Sequence, residues 1–155
     1  MLRVLNFILF IIFSGCLSSC ETLDVHEKTS FFKKHEWASA EKPVVSFEIK
    51  DTTQPYNIFF VIRHHDAYHF KNIWISMDVK DPDTTYTVKR EFTLANNTQW
   101  LGTGMDDIIE QRIPFDSKPF PLKKGMYTFT LQQVMREDPL QNVMAAGIRV
   151  EKQKP

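Results

Sequence analysis

Apolar and polar residues alternate along most of the chain after Pro43. Val45, Phe47 and Ile49 fall on one face of an extended segment, and the residues between them are polar. A repeat of two residues is typical of a strand that packs one face against a core. Six further segments show the same alternation or a short continuous apolar run, and they are residues 56–63, 73–79, 86–94, 109–113, 127–131 and 144–150.

Turn-forming residues separate these segments, notably at 51–55, at 81–83 and at Lys124-Gly125. No stretch repeats apolar residues at helical spacing, apart from one turn near residues 106–110. Short strands with turns between them are typical of an antiparallel β-sandwich. The pattern therefore predicts an all-β, immunoglobulin-like or jelly-roll-like sandwich of about seven to eight strands.

The N-terminus has the organisation of an export signal. Arg3 supplies a positive start, and residues 4–13 form an apolar run that only Asn6 interrupts. This run is about ten residues long, whereas a helix that spans a membrane needs roughly twenty. We therefore predict a cleaved signal peptide rather than a transmembrane segment.

The residues that follow the apolar run predict where cleavage occurs. Leu17-Ser18-Ser19-Cys20 resembles the bacterial lipobox, whose cysteine receives a diacylglycerol and becomes the mature N-terminus. A competing site at Cys16 follows too short an apolar run, and the remaining alternative is a fortuitous cysteine after an ordinary signal. We predict a lipoprotein signal peptide over residues 1–19 and lipid attachment, including palmitate, at Cys20.

Cleavage before Cys20 leaves the mature chain without a free thiol, because Cys16 is the only other cysteine. This excludes a disulfide framework, a thiol nucleophile and a cysteine metal site. Residues 20–42 are polar, with scattered aromatic residues at Phe31, Phe32 and Trp37. They predict a lipidated tether that is partly ordered where these rings dock, followed by the β-sandwich domain at 43–155.

Composition narrows the classes of partner. The 155 residues include 19 Lys and Arg and 19 Asp and Glu, so the formal net charge is zero. Nucleic-acid binding requires clustered basic residues, which this chain lacks. The chain contains only five glycines, which leaves little material for a glycine-rich phosphate-binding loop. We therefore expect that the protein binds no nucleic acid, no cofactor and no small-molecule substrate.

The densest set of potential metal ligands is His64, His65, Asp66 and His69. Neighbouring histidines in a strand point to opposite faces, whereas a zinc site needs three or four ligands that converge. The segment therefore favours a polar turn between two strands, and we predict no metal site.

Asp106, Asp107 and Glu110 are the main carboxylate candidates for hydrolysis. Nothing in their spacing indicates convergence in a cleft, and acidic residues are also common in the first turn of a short helix. We predict no catalytic residues, and hence a protein that is not an enzyme.

Two tryptophans are candidate contact residues. Trp100 precedes Gly102 and Gly104, but Asp107 stands where a dinucleotide-binding motif needs its third glycine. The glycines instead predict a tight backbone path with Trp100 packed over it. Trp74 is out of phase with its apolar neighbours and is expected on an outer face. We consider Trp74 and Trp100 as contacts for a protein partner or a glycan.

Several segments together resemble the GldH family of gliding-motility lipoproteins, over nearly the whole mature chain. His64-His65 departs from the Arg-Asn expected after the second strand. The segments that carry the resemblance are Asp51-Thr52-Thr53-Gln54-Pro55-Tyr56-Asn57-Ile58, Asn72-Ile73-Trp74-Ile75, Trp100-Leu101-Gly102-Thr103-Gly104 with Asp107-Ile108, Gly125-Met126-Tyr127, Gln133-Val134-Met135-Arg136 and Gly147-Ile148-Arg149-Val150-Glu151-Lys152.

The resemblance implies a non-enzymatic cell-envelope lipoprotein, a structural or accessory component of the gliding-motility machinery and its associated protein secretion. Its expected partners are the membrane, through the lipid, and other envelope proteins of that machinery. Glu21-Thr22-Leu23-Asp24 lacks the acidic run that often follows the cysteine of surface-exported lipoproteins in this lineage, which favours a periplasm-facing position. The alternative is a glycan-binding surface lipoprotein. Thr52, Thr53, Thr84 and Thr85 lie in patterns that resemble O-glycosylation acceptors of this lineage.

Overall fold

The structure, a computed structural model, describes residues 23–154 and is all-β and antiparallel, as the sequence predicts. It contains eleven strands rather than seven to eight. Their bounds are β1 Val25–Phe31, β2 Glu36–Trp37, β3 Val44–Ile49, β4 Tyr56–His65, β5 Asn72–Lys80, β6 Thr85–Thr93, β7 Thr103–Met105, β8 Ile108–Pro114, β9 Gly125–Gln133, β10 Leu140–Gln141 and β11 Val143–Lys152.

The seven predicted strands correspond to β3, β4, β5, β6, β8, β9 and β11. The four additional strands, β1, β2, β7 and β10, have no readable alternation. Three of them are only two or three residues long, too short to show a period. β1 is longer, but its residues are exposed or half-buried on both faces, so apolar residues do not alternate with polar ones.

Two sheets form the sandwich. The five-stranded sheet has the order β1-β11-β4-β8-β7, and the four-stranded sheet has the order β3-β9-β5-β6. A third sheet consists of the short pair β10-β2. Every paired strand runs antiparallel to its neighbour, so turns and loops at the two ends can connect the strands.

The core lies between the two sheets and consists of the inward-pointing residue of each alternating pair. Phe60 and Ile148 from the five-stranded sheet and Ile75 and Leu131 from the four-stranded sheet are completely buried. Aromatic residues extend the core, and Phe47 stacks on Tyr127 with ring centroids 5.6 Å apart. Removal of this apolar area from water is the main contribution to stability.

Residues 25–42, expected in the tether, form part of the fold. All seven residues of β1 pair with β11, and Phe32 stacks on the fully buried Trp37 with ring centroids 4.7 Å apart. The folded domain therefore begins well before residue 43. The physical reason is that β11 needs a neighbour on its outer edge, and β1 supplies the hydrogen bonds.

The expected helical turn at residues 106–110 is also corrected. Asp106 and Asp107 form the turn between β7 and β8, and Asp106 has a positive φ of 57°. The described residues contain a single 3-10 turn, Lys33–His35. None of their helical structure is long and apolar enough to cross a membrane.

The sandwich has two ends, which the strand directions define. At the end we call the N-terminal end, β1 and β4 begin and β11 finishes. At the opposite end, which we call the far end, β1, β4 and β7 finish and β8 and β11 begin. Residues far apart in the sequence meet at each end.

Candidate functional site

A groove of about 480 Å³ opens on the outer face of the five-stranded sheet at the far end. Its floor contains Arg63 of β4 and Glu110 of β8, which face each other in register. Alternation in both strands turns these two side chains away from the core. The remaining lining comes from the β7–β8 hairpin and from β11, and it consists of Thr103, Gly104, Met105, Asp106, Asp107, Ile108 and Met144.

Large apolar side chains stand exposed around this groove. Met105 on one side is 80% exposed, and Phe31 on the other side is 67% exposed. The guanidinium carbon of Arg63 lies 6.0 Å from the centre of the Phe31 ring, which joins the two sides. We call the groove and Phe31 together the far-end surface. Exposed apolar residues grouped in this way are typical of protein-interaction sites.

An ionic network runs from the groove across the same face of the sheet. Glu110 binds Arg63, and its other oxygen lies 2.7 Å from Nη1 of Arg112. Nε of Arg112 donates to Glu27 on β1 over 2.8 Å, and Nη1 of Arg149 donates to the same carboxylate over 3.1 Å. The Arg112 hydrogen bond is the main reason why the pKa of Glu27 lies below its ordinary value.

The network also covers apolar surface on the outside of the sandwich. Val61 points away from the core, yet only 2% of it is exposed. Arg112, its register partner on β8, crosses β4 and β11 to reach Glu27 on β1. The aliphatic part of an arginine side chain can cover such apolar surface while its charged head is paired.

Three polar side chains form a line beside the groove. Nε2 of His65 lies 2.8 Å from Nδ1 of His35, and Nδ1 of His65 lies 3.2 Å from a carboxylate oxygen of Asp107. The His65 ring thus lies between His35 and Asp107. The three side chains do not surround a common point, as the ligands of a metal ion would. Within residues 23–154, no group of three or more His, Cys, Asp or Glu side chains is arranged to hold a metal ion.

The four residues considered as metal ligands separate in the structure. His65 takes part in the line just described, Asp66 is exposed in the turn, and Nδ1 of His69 lies 2.9 Å from Glu137. His64 points into the core and is completely buried. Its Nδ1–H donates to the His65 carbonyl over 2.7 Å, and burial lowers the pKa of its imidazole.

Trp100 packs over His64, with the two ring centroids 4.6 Å apart and edge-to-face. Gly102 next to it has the tight backbone path that the sequence predicts. A Cβ at Gly102 would lie 2.4 Å from Cγ of Gln111 and 2.5 Å from the Glu110 carbonyl oxygen. Position 102 therefore requires glycine because neighbouring atoms of β8 lie too close for a side chain. Positive φ is a separate feature, and among the described glycines it occurs at Gly125.

Trp74 lies on the outer face of the four-stranded sheet, as its phase predicts, and is half-buried. The ammonium group of Lys89 stands 5.2 Å from the centre of its ring. The structure does not bring Trp74 and Trp100 together, and neither lines the far-end groove. These placements give no support to the glycan-binding alternative. Cys20, the predicted lipid site, lies outside the described residues.

A second pocket, of about 180 Å³, opens between the sheets near β6. Arg90 stands at its mouth, 5.5 Å from the centre of the Phe115 ring. Its guanidinium donates to the Phe115 carbonyl and lies 4.0 Å from Asp116. Arg90 is therefore paired within the fold.

Sequence reasoning missed most of the far-end surface. Glu110 was considered only as a carboxylate for catalysis, whereas the structure pairs it with Arg63 and Arg112. One local signal was present, because Glu110 and Arg112 are two residues apart and therefore share a face of β8. Nothing local indicates that Phe31, on β1, lies beside them.

Comparison with known proteins finds a matching family model and two relatives that are similar over most of the chain. Residues 24–150 match a family model described as GldH lipoprotein. A gliding motility lipoprotein GldH homolog of Christiangramia forsetii is 27% identical over 147 residues, which is 87% of this chain and 88% of the relative. The gliding motility lipoprotein GldH of Flavobacterium johnsoniae is 26% identical over 161 residues, 97% of this chain and 98% of the relative.

A search of solved structures gives a weaker likeness. The crystal structure of dimeric latent PorU from Porphyromonas gingivalis aligns with 90% of this chain, at 12% identity and a TM-score of 0.37. The alignment covers 14% of that much longer chain. A similarity at this level carries no argument about the fold or function of the present protein.

Proposed function

The chain belongs to the GldH lipoprotein family, and we propose on that premise that it is a non-enzymatic accessory component of the machinery for gliding motility and associated protein secretion. One observation carries the proposal: the family model spans residues 24–150, almost the whole described fold. Similarity of that extent includes every strand of the sandwich except the last two residues of β11.

The proposed anchor is a lipid on Cys20, the cysteine of the predicted lipobox. Several acyl chains on one residue hold a protein at a membrane far more firmly than a single chain does. We place the domain on the periplasmic side, because residues 21–24 lack the acidic run of surface-exported lipoproteins. Protease added to intact cells should therefore leave the protein uncut, whereas protease added after outer-membrane permeabilisation should cleave it.

The proposed contact with other envelope proteins is the far-end surface. It combines exposed apolar side chains with a network of arginine and glutamate, the mixture found where proteins recognise each other. Trp74 and Trp100 were the contacts expected from the sequence. The partial burial of both rings and the Lys89 contact at Trp74 make the far-end surface the better candidate.

Charge substitutions at the far-end surface test this proposal. Phe31→Asp and Met105→Asp each place a carboxylate where an apolar partner surface would pack, so secretion and copurification of envelope partners should fall at normal protein abundance. Val44→Asp is the matched control, because Val44 is 47% exposed at the same end of the other sheet. If both far-end variants retain secretion and partners as fully as Val44→Asp does, this surface is not the contact.

Asp107→Asn separates an accessory role from catalysis. The carboxylate is exposed and reaches His65 at 3.2 Å, a contact that contributes little to stability. Secretion and abundance should both stay within experimental error of the unmodified protein. Asp107 also lines the far-end groove, so copurification of envelope partners must be measured alongside secretion. Loss of secretion with normal abundance, thermal stability and partner copurification would show that this residue has a chemical role.

A further inference from the structure

The fold holds the chain very close to the predicted lipid site. The Asp24 carbonyl accepts a hydrogen bond of 2.9 Å from the Lys152 amide, which fixes Asp24 at the N-terminal end of the sandwich. Four Cα-to-Cα steps separate Cys20 from Asp24 in the sequence. A fully extended chain covers at most about 14 Å in four steps. The N-terminal end of the sandwich can therefore never move far from the lipid.

We propose that the N-terminal end of the sandwich rests on the bilayer surface and that its strands stand upright on the membrane. The inference depends on the lipidation of Cys20 proposed above. The occupant of this end is the lipid headgroup region, and the far-end surface is held away from it.

Exposed apolar side chains at this end fit that contact. Val25, Tyr86 and Met126 are each about half exposed, and each is the first or second residue of its strand. All three strands, β1, β6 and β9, begin at the N-terminal end. Such isolated apolar tips can enter the boundary between headgroups and acyl chains without the loss of any core contact.

The charges around these tips also fit a headgroup surface. Four exposed lysines at this end form no ion pair with any residue in 23–154, and they are Lys80 at the end of β5, Lys118 and Lys124 in loops, and Lys154 in the C-terminal segment. Among the acidic residues at this end, Asp51, Asp83 and Asp116 are paired with Lys152, Lys123 and Arg90. Asp24 and Asp81 form no ion pair within residues 23–154, so the unpaired lysines outnumber the unpaired aspartates by four to two. Long lysine side chains can reach lipid phosphates while their stems cover apolar surface.

Upright strands set the height of the far-end surface. β4 crosses the five-stranded sheet from one end to the other and contains ten residues. At roughly 3.4 Å per residue, the far-end surface stands about 30 Å above the headgroups. A protein that binds there would meet the domain well clear of the membrane.

Two exposed methionines at opposite ends give a matched test. Met126 lies at the N-terminal end and Met105 at the far end, and lipidation of Cys20 leaves the mature chain without another thiol. Met126→Cys and Met105→Cys are labelled with a fluorophore in the full lipidated protein. The labelled proteins are then placed in phosphatidylethanolamine–phosphatidylglycerol vesicles that carry a quencher on a fraction of the headgroups.

Quenching at position 126 should be several-fold stronger than at position 105. A second pair, Lys124→Cys and Asp66→Cys, should repeat the difference and guards against a local effect of one label, because Asp66 is exposed in the turn after β4 at the far end. Equal quenching at the two ends, or stronger quenching at the far end, would overturn the upright orientation. Protein that does not sediment with the vesicles would instead refute the lipid anchor, so the two failures are distinguishable.

Discussion

His64 shows how a single ionisable side chain is accommodated inside an apolar core. Its Nδ1–H donates to the His65 carbonyl, and Nε2 faces the Gln111 amide nitrogen at 3.4 Å. Trp100 packs edge-to-face against the His64 ring. These contacts suit the neutral imidazole, because a proton on Nε2 would replace the acceptor of Gln111 and would put a charge in an environment with little water.

The neutral state of His64 predicts a pH-dependent loss of stability. Its pKa in the folded protein lies below the ordinary value of 6.5, so the unfolded chain binds the proton more readily. The free energy of unfolding should therefore be unaffected by this group above pH 6.5 and should decrease as the pH falls below it. Urea unfolding at pH 7.5 and 5.5 should show that His64→Phe removes about 1 kcal/mol of this decrease.

A control for this measurement lies next to His64. Tyr68→Phe removes only the hydroxyl that donates to the Asn72 carbonyl, and burial keeps the pKa of this phenol far above the range tested. Its effect on the free energy of unfolding should be equal at the two pH values. If His64→Phe leaves the pH dependence of the unmodified protein intact, His64 is not held neutral.

At the scale of elements, the contact between β1 and β11 depends on one glycine. A Cβ at Gly147 would lie 2.0 Å from the Lys28 carbonyl oxygen and 2.6 Å from Cα of Thr29. Both atoms belong to the backbone, which cannot turn aside as a flexible side chain would. The two strands can therefore keep their register only while position 147 has no side chain.

Gly147→Ala should destabilise the protein by about 2 kcal/mol or more, because the added methyl forces β1 away from β11. Urea unfolding measures the loss, and hydrogen exchange should show lower protection for the β1 amides than for those of β9. Thr29→Ala on the facing strand removes atoms and should be much milder. Unchanged stability of Gly147→Ala would mean that the strands are not this closely packed.

The ionic network is a second property of elements, because it connects four strands across one face. Glu27→Gln keeps the shape of the side chain but removes the charge that holds Arg112 and Arg149. Partial exposure of the three side chains limits the expected cost to roughly 0.5–1 kcal/mol at pH 7 and low salt. The cost should shrink in 1 M NaCl because salt screens exposed charges.

The same substitution has a defined pH dependence. The pKa of Glu27 is lowered in the folded protein, so its contribution is complete above the ordinary value of 4.5 and disappears as the pH falls through the folded pKa. Glu27→Gln and the unmodified protein should therefore converge in stability at low pH. Glu48→Gln, whose partner Lys50 is 3.6 Å away on the surface, should have almost no effect at any pH. An equally large effect of Glu48→Gln would contradict a special role for the network.

For the whole molecule, the central prediction concerns the anchor. Serine cannot form the thioether link to diacylglycerol, so Cys20→Ser should be released from membranes or remain unprocessed while the domain stays folded. Cell fractionation and incorporation of labelled palmitate measure the two properties. Membrane-bound, processed and palmitate-labelled Cys20→Ser protein would refute Cys20 as the lipid site.

The sequence by itself determined the class of fold and most of its strands. In β3, β5 and β9, alternate residues point to opposite faces of an extended chain, so apolar residues at every second position reveal the buried face without any knowledge of neighbours. The lipobox prediction is equally local, because it depends on four adjacent residues that end at Cys20. Family resemblance also depends on segments that can be compared one after another along the chain.

Tertiary structure decided what the sequence could not show. β1 has no clear period, and it is a strand because β11, more than a hundred residues later, presents an unpaired edge. The far-end surface likewise takes Phe31, Arg63, Met105 and Met144 from four different strands. Contacts of this kind depend on strand order and register. The same alternation of apolar and polar residues is compatible with several different strand orders and registers. Local patterns therefore establish which residues are buried, whereas topology establishes which exposed residues meet.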